Sequence, residues 1–410
     1  MERFTGLIGI VLILGIAFLF SNNRKKINLR LVFSGLLLQV TIAVLVLKVP
    51  MVNHFFQMLG KGMQKLEGFA KEGANFVYYG IATFDHSGTV VNYGAGPNFV
   101  FAFNITSTII LVCIIVAILY HLKIMQMLVA VIAKAMKFVM RVSGAEALSN
   151  VASAFVGQVE AQVMIREYLP TMTKSELLAS MSGSLACIAG GILIVYANMG
   201  ARADYLIAAS LMAAPGALVI SKIVFPETEE SPTFGNIKVE VKSSYTNLID
   251  AISHGAADGF KIAMNVIAML MGFIALIAMV NWMLGHLYHG LSLDFIFGKL
   301  FYPFAYAMGI PAQDINGAAT LLGQKLSINE FVAFKNLTSH SVNITSAKGT
   351  AIITIAICGF ANFSSVGMQI GGIGALAPMR RSDLAKLGMK ALLCGTLASY
   401  LSATIGGMLF

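Results

Sequence analysis

The chain has 410 residues; 57% are hydrophobic, 11% are charged, and the formal net charge is +9. A typical soluble domain is about one quarter charged. This composition, with a mean hydropathy of +0.80, excludes a soluble globular protein, a disordered chain and a secreted disulfide scaffold. It specifies a polytopic α-helical membrane protein. The basic excess does not signal nucleic acid, because Lys and Arg flank apolar spans, as membrane insertion requires. Cys113, Cys187, Cys358 and Cys394 lie far apart in apolar stretches, without metal-ligand spacing. They read as small buried hydrophobes.

In chain order, the first apolar run covers 6–20 and ends at Ser21-Asn22-Asn23-Arg24-Lys25-Lys26. The basic cluster follows the run and no small-residue cleavage site is evident, so the run is a membrane span and not a signal peptide. Residues 31–48 form the second span. Residues 49–99 contain Gly and charges, and are expected to make a surface helix and an outer loop. Further spans fall at 100–121, 177–199, 204–225, 262–282, 349–377 and 388–409, each close to the ~20 residues that cross a bilayer. Eight spans put both termini on the outer face. Of the 28 basic residues, 18 then fall on inner loops and flanks and the other 10, Lys325 among them, on outer segments. This bias supports the orientation.

Residues 145–176 and 292–338 are too long for loops and too broken for spans. Irregular backbone at membrane depth is tolerated only when buried in protein or lining a cavity, so both are expected to be re-entrant hairpins. The first opens inward and the second outward. A polar linker runs from Pro226 to Ser244 on the inside.

The two halves echo each other. Gly157-Gln158-Val159-Glu160 in the first hairpin precedes a helix interrupted at Cys187-Ile188-Ala189-Gly190-Gly191, and then a full span. Gly323-Gln324 and Asn329-Glu330 in the second precede a helix interrupted at 359–365, and then a full span. Paired interrupted segments in inverted halves point to a transporter site near the midplane. Glycine also serves close helix packing, which is the plainer reading.

Glu160 and Glu330 need explaining, because a carboxylate at membrane depth costs about 3 kcal/mol or more unless paired or hydrated. Function is the default reading, and a structural pair such as Glu160 with Arg166 is the alternative. Gln158, Asn362 and Ser365 would be unsatisfied facing lipid; helix–helix hydrogen bonding is their alternative to ligand binding. These groups suit a neutral, polyhydroxyl, heterocyclic solute. Carboxylates accept from vicinal hydroxyls, amides offer donor and acceptor to a base edge, and Phe360 offers a ring. No Arg or Lys cluster marks the midplane, which argues against a phosphorylated substrate. Enzymatic motifs are absent: there is no Gly-Lys-Ser/Thr phosphate loop, His-Glu-x-x-His pair or Gly-x-Ser-x-Gly elbow. His286 and His289 sit at a span end, and Trp282, Tyr205 and Tyr288 look like interfacial anchors.

At these motifs the sequence resembles the concentrative nucleoside transporter family. The similarity runs along nearly the whole chain, from 21–30 through 155–161 and 208–215 to Asn329-Glu330-Phe331-Val332-Ala333 and 358–365. The resemblance implies an all-α, multi-pass secondary active importer: a cation-coupled nucleoside symporter working by elevator motion, without an organic cofactor, assembled as a homotrimer. By analogy the scaffold covers 1–144, with an inner linker and the sixth span at 226–290. Transport repeats cover 145–225 and 291–410. Also by analogy, Gln158, Val159 and Glu160 face the nucleobase, with Ile192 and Ile262 packed on it. Glu330, Asn362 and Ser365 hold the ribose, with Phe360 beside the sugar. A sodium site in the family would use Ser153, Val156, Cys187 and Ile188, partly through carbonyls.

Four departures bear on this. Ser153 stands where sodium-coupled members usually have Asn, and Cys187 where they have Ser or Thr. A thiol is a soft ligand, poorly matched to a hard alkali cation. Proton coupling is therefore expected over sodium, with a buried carboxyl such as Glu330 as the carrier. Val159 replaces the usual Thr or Ser and Gln162 the usual Pro, so base preference is not carried across. A nucleobase or other polar-solute symporter of the same fold is the nearest rival; a passive pore and a membrane enzyme are the others. With no organellar targeting segment, the expected location is a bacterial inner membrane.

Overall fold

A computed structural model describes residues 2–78, 83–84, 90–91, 101–234, 245–288 and 290–410. The chain begins with α1 (Glu2–Leu19), α2 (Leu29–Lys48) and α3 (Pro50–Val77). A two-residue antiparallel ladder, β1 (Thr83–Phe84) with β2 (Val90–Val91), follows. This is the one departure from an all-helical architecture among the described residues. Next come α4 (Phe101–His121), α5 (Ile124–Met140), α6 (Gly144–Ser153), α7 (Glu160–Val163), α8 (Lys174–Ala186), α9 (Gly190–Asn198) and α10 (Ala203–Val224). The second half holds α11 (Leu248–Leu287), α12 (Leu293–Leu300), α13 (Tyr302–Ala307), α14 (Ile315–Ser327), α15 (Glu330–Thr338), α16 (Ala347–Ile357), α17 (Phe363–Leu376) and α18 (Arg381–Gly407).

The eight expected spans correspond to α1, α2, α4, the broken pair α8–α9, α10, α11, the broken pair α16–α17, and α18. Among the described residues, three helical segments are long and apolar enough to cross a membrane unaided: 29–48, 174–198 and 203–224. α4 and α5 are bent from each other by 75°, so α5 leaves the line of its span. It buries Met125, Val129, Ala133, Met136 and Met140 and exposes Met127, Val131 and Phe138. α11 has 40 residues, about 60 Å at 1.5 Å per residue, and packs mainly along α4.

α10 is the hub, packed on α2, α18 and α8. Its small residues let neighbours approach closely. A methyl at Gly216 would strike the Gln39 amide. That amide, fully buried, donates to the Met212 carbonyl (3.0 Å) and to Ser402 Oγ (3.1 Å), tying α2, α10 and α18 together. Tyr205 is not the interfacial anchor expected from sequence. It is buried at the start of α10, with the Arg202 guanidinium 4.3 Å above its ring. Trp282 and Tyr288 are exposed as expected; His289 lies outside the described residues.

The first re-entrant hairpin and the broken helix after it are each started by a side chain that satisfies free helix N–H groups. Ser143 and Glu146 form a capping box on α6, and Thr173 and Glu176 do so on α8. At the open end of the first hairpin, Lys222 pairs with Glu146 (2.8 Å) and Glu227 (3.3 Å). The second hairpin proper is α14–α15, within the expected 292–338; α12 and α13 occupy the remainder. At its open end buried Asp314 accepts from the Thr345 amide (2.8 Å), Thr345 Oγ1 (2.9 Å), the Ser346 amide (3.1 Å) and Ser346 Oγ. Burial alone would raise this carboxyl, but the Ser346 and Thr345 donors hold it below the usual carboxylate range.

Candidate binding site at the hairpin tips

The two broken helices cross at their breaks. The Phe360 amide donates to the Cys187 carbonyl at 3.3 Å. Gly359 has φ +148, and a Cβ there would run into the Ala186 carbonyl, so only glycine allows the crossing. Cys187 ends α8 and Cys358 ends α16. Their thiols lie 3.9 and 3.8 Å from the Ser210 and Leu206 carbonyls of α10, one helical turn apart. The hairpin tips meet the same region. The Gly190 amide of α9 donates to Phe155 of the first tip at 3.0 Å. Gly157, at φ +131, turns that tip so tightly that an added Cβ would meet the Glu160 carboxylate.

On the second side, Glu330 is buried. It accepts from Asn362 Nδ2 at 2.9 Å and from Tyr196 Oη at 3.1 Å. Asn362 caps α17 and accepts from the Ser365 amide and Ser364 Oγ, both at 2.8 Å. Among the described residues, Ser365 Oγ is buried without a partner. Gln158 reaches the Met368 sulfur at 3.8 Å with its amide nitrogen and leaves its oxygen buried and unpartnered. Sulfur is a weak acceptor. Two convergent polar groups are thus left unsatisfied at a cost of about 1–3 kcal/mol each, which a hydrogen-bonding ligand would offset.

The structure joins Glu330, Asn362 and Ser365 directly. Gln158 sits on α17 beside them, as does Val159, whose methyls pack on Gly372. Ile192 and Phe360 are half-buried against the core around the breaks. Glu160 is exposed, and among the described residues no ion pair joins it to Arg166. Ile262, on α11, is likewise half-buried against that core.

Sequence reasoning missed two residues. Tyr196 is fully buried, stacked on Phe334 at 4.3 Å. Its signal was a lone tyrosine inside an apolar run. Lys325, counted with the outer segments, is fully buried.

The expected cation ligands form a different pattern from a cage of free oxygens. Ser153 Oγ donates to the Ser149 carbonyl (2.7 Å) and lies 2.8 Å from Ser184 Oγ. Gln162 Nε2 donates to Ser184 (2.8 Å) and Gln162 Oε1 accepts from Ser180 (2.7 Å). The residue that replaces the usual proline therefore holds this hydroxyl network. Cys187 directs its thiol between the Asn150 and Ser210 carbonyls, 3.9 Å from each. The Ile188 carbonyl already accepts from Ser210 Oγ at 3.3 Å. The Val156 amide donates to Ala152. A thiol is a soft group and suits a hard cation poorly. No cluster of metal-ligating side chains occurs among the described residues.

Three family models match in succession. That for the N-terminus of a Na+ dependent nucleoside transporter matches residues 8–81, a nucleoside recognition gate matches 102–203, and the transporter C-terminus matches 205–407. The nucleoside permease NupC of Helicobacter pylori is 37% identical over 98% of this chain and 96% of its own. The chain belongs to the concentrative nucleoside transporter family.

Other relatives match along nearly the whole of this chain. The transporter YutK of Bacillus subtilis is 41% identical over 98% of both chains. The rat sodium/nucleoside cotransporter 1 is 35% identical over all of this chain and 64% of its own. The structure of CNTnw in an inward-facing substrate-bound state is 39% identical, with a TM-score of 0.91, covering 100% of this chain and 99% of that one. As a concentrative nucleoside transporter, the protein is an integral membrane protein of a cation-coupled transport family, with the inverted-repeat helical fold the sequence specified.

Proposed function

We propose that the protein is a nucleoside importer driven by the proton gradient. The observation that carries the nucleoside reading is the convergence of Glu330, Asn362 and Ser365 at one crossing point, with Ser365 Oγ and Gln158 Oε1 buried and unpartnered. Vicinal ribose hydroxyls donate to the Glu330 carboxylate and accept from Asn362 and Ser365. A base edge donates to Gln158 Oε1. Val159 offers no hydroxyl, so base choice rests on Gln158 and Glu160.

Proton coupling is supported by the side chains of the first-hairpin junction. Ser153 Oγ is already engaged by the Ser149 carbonyl and Ser184 Oγ, and Cys187 offers a soft thiol where a hard alkali cation prefers oxygen. Glu330 is the proton carrier in this reading. Ionised, it accepts from Tyr196 and Asn362; protonated, it also donates to a sugar hydroxyl. Substrate and proton thus meet on one carboxyl group.

The wider reading follows from the family. The two repeats, with both hairpins, move as an elevator against a scaffold formed by α1, α2, α4 and α11, in a homotrimer in a bacterial inner membrane, with both termini outside.

Proteoliposomes and labelled uridine and inosine test this. Sodium and proton gradients are imposed separately. Accumulation with the proton gradient alone is the expected result. Accumulation with sodium alone overturns the coupling assignment, and accumulation of neither nucleoside overturns the substrate assignment.

A further inference from the structure

Lys325 lies in the third-last position of α14 and is fully buried. Its ammonium donates to the Ala356 carbonyl at 3.0 Å. It makes no ion pair among the described residues. Glu330, five residues on, acts on it through space. An ammonium has three hydrogens to place, and burying one against a single carbonyl costs several kcal/mol. A methionine of similar length would avoid that cost.

The position of the ammonium explains the arrangement. Ala356 lies in the last turn of α16, where carbonyls have no partner within the helix and the helix dipole is negative. The Cys358 amide takes Ile355, at 3.3 Å, and Lys325 takes Ala356. The ammonium therefore bridges the end of the first hairpin helix, α14, and the end of the first half of the broken helix, α16.

The first repeat has the same junction between α6 and α8. There Ser153, the last residue of α6, meets Ser184 of α8, and the Cys187 thiol faces the Asn150 carbonyl. Cys187 and Cys358 hold equivalent places at the two helix ends, one turn apart along α10. No basic side chain enters the first junction among the described residues.

We propose that the Lys325 ammonium is a tethered cation that neutralises the converging helix C-termini of the second repeat, where the first repeat fills the equivalent junction with neutral hydroxyls and the Cys187 thiol. The two inverted junctions are thus built differently, and the charge in the second is part of the chain itself.

The test uses the purified transporter in detergent, melted in choline buffer and again with sodium chloride or propylammonium chloride added. Lys325→Ala empties the junction, whereas Lys325→Met fills it without charge. The alanine variant is expected to melt lower and to lose uridine uptake by about tenfold or more, as expected for lost charge compensation at buried carbonyls. Propylammonium or sodium should raise its melting temperature more than that of the wild type, and neither should move the methionine variant. Wild-type melting and uptake in both variants would overturn the proposal. So would an alanine variant that is destabilised but unresponsive to either cation, because that describes packing alone. If neither variant assembles, Lys325→Arg decides: it keeps the charge and must assemble and transport, and its failure also overturns the proposal. Coupling of the wild type is read from gradients in a separate experiment, so either reading can fail without the other.

Discussion

Glu330 and Asn362 meet at 2.9 Å across the point where the second hairpin reaches the second broken helix. The contact ties together two segments 32 residues apart, and each also serves a helix start: Glu330 opens α15 and Asn362 caps α17. Replacing the carboxylate by an amide keeps the shape and removes the charge. Glu330→Gln should lower uptake by roughly 100-fold, corresponding to one or two charge-assisted hydrogen bonds of about 1.5–3 kcal/mol each. The variant should still elute as an assembled transporter in size-exclusion chromatography. Normal uptake would sink the ribose assignment.

Tyr196→Phe isolates one partner of that carboxylate. The ring still stacks on Phe334, so the fold should hold. Loss of one hydrogen bond, about 1–2 kcal/mol, should weaken nucleoside binding roughly five- to thirtyfold, as measured by titration calorimetry. A free nucleobase, having no sugar, should bind both forms equally.

Ser153→Asn combined with Cys187→Ser restores oxygen ligands at the first junction. The double variant should gain uptake driven by sodium alone, which the wild type should lack. No response to sodium in the double variant would place the cation elsewhere.

Gly359→Ala tests the helix crossing. The added methyl meets the Ala186 carbonyl in a backbone region that alanine disfavours. Strain and overpacking together should cost about 2–5 kcal/mol. The expected result is a sharp drop in the yield of assembled protein; wild-type melting would show that the breaks need not cross so closely.

Asp314 gives a pH dependence with a definite sign. Its carboxyl is held below the usual range by the Ser346 and Thr345 donors, so its stabilising effect is full above the unfolded-state value of about 4 and fades as pH falls below it. Asp314→Asn should melt lower than the wild type at neutral pH, and the gap should narrow as the buffer is taken below about pH 4. A gap independent of pH would remove the carboxylate from this role.

The sequence by itself determined the helical membrane class, the two interrupted repeats and Glu330 with Asn362 and Ser365. These are local signals: apolar runs of spanning length, glycine-broken segments, and polar groups too costly at membrane depth to be incidental. It did not determine that Tyr196 joins Glu330, that Gln162 holds a hydroxyl network, or that Lys325 is buried. Lys325 counts as an outer-segment charge in the sequence although Leu321, Leu322 and Leu326 flank it, because neighbours along the chain do not reveal what packs across from a side chain. Its environment is the end of α16, some thirty residues away in the chain. Tyr205 misled in the opposite direction, since an aromatic at a span end looks interfacial until Arg202 and Phe410 close over it. Pattern along the chain fixes which segments leave water. Which buried polar atoms become partners depends on how inverted halves interlock, and only the tertiary structure decides that.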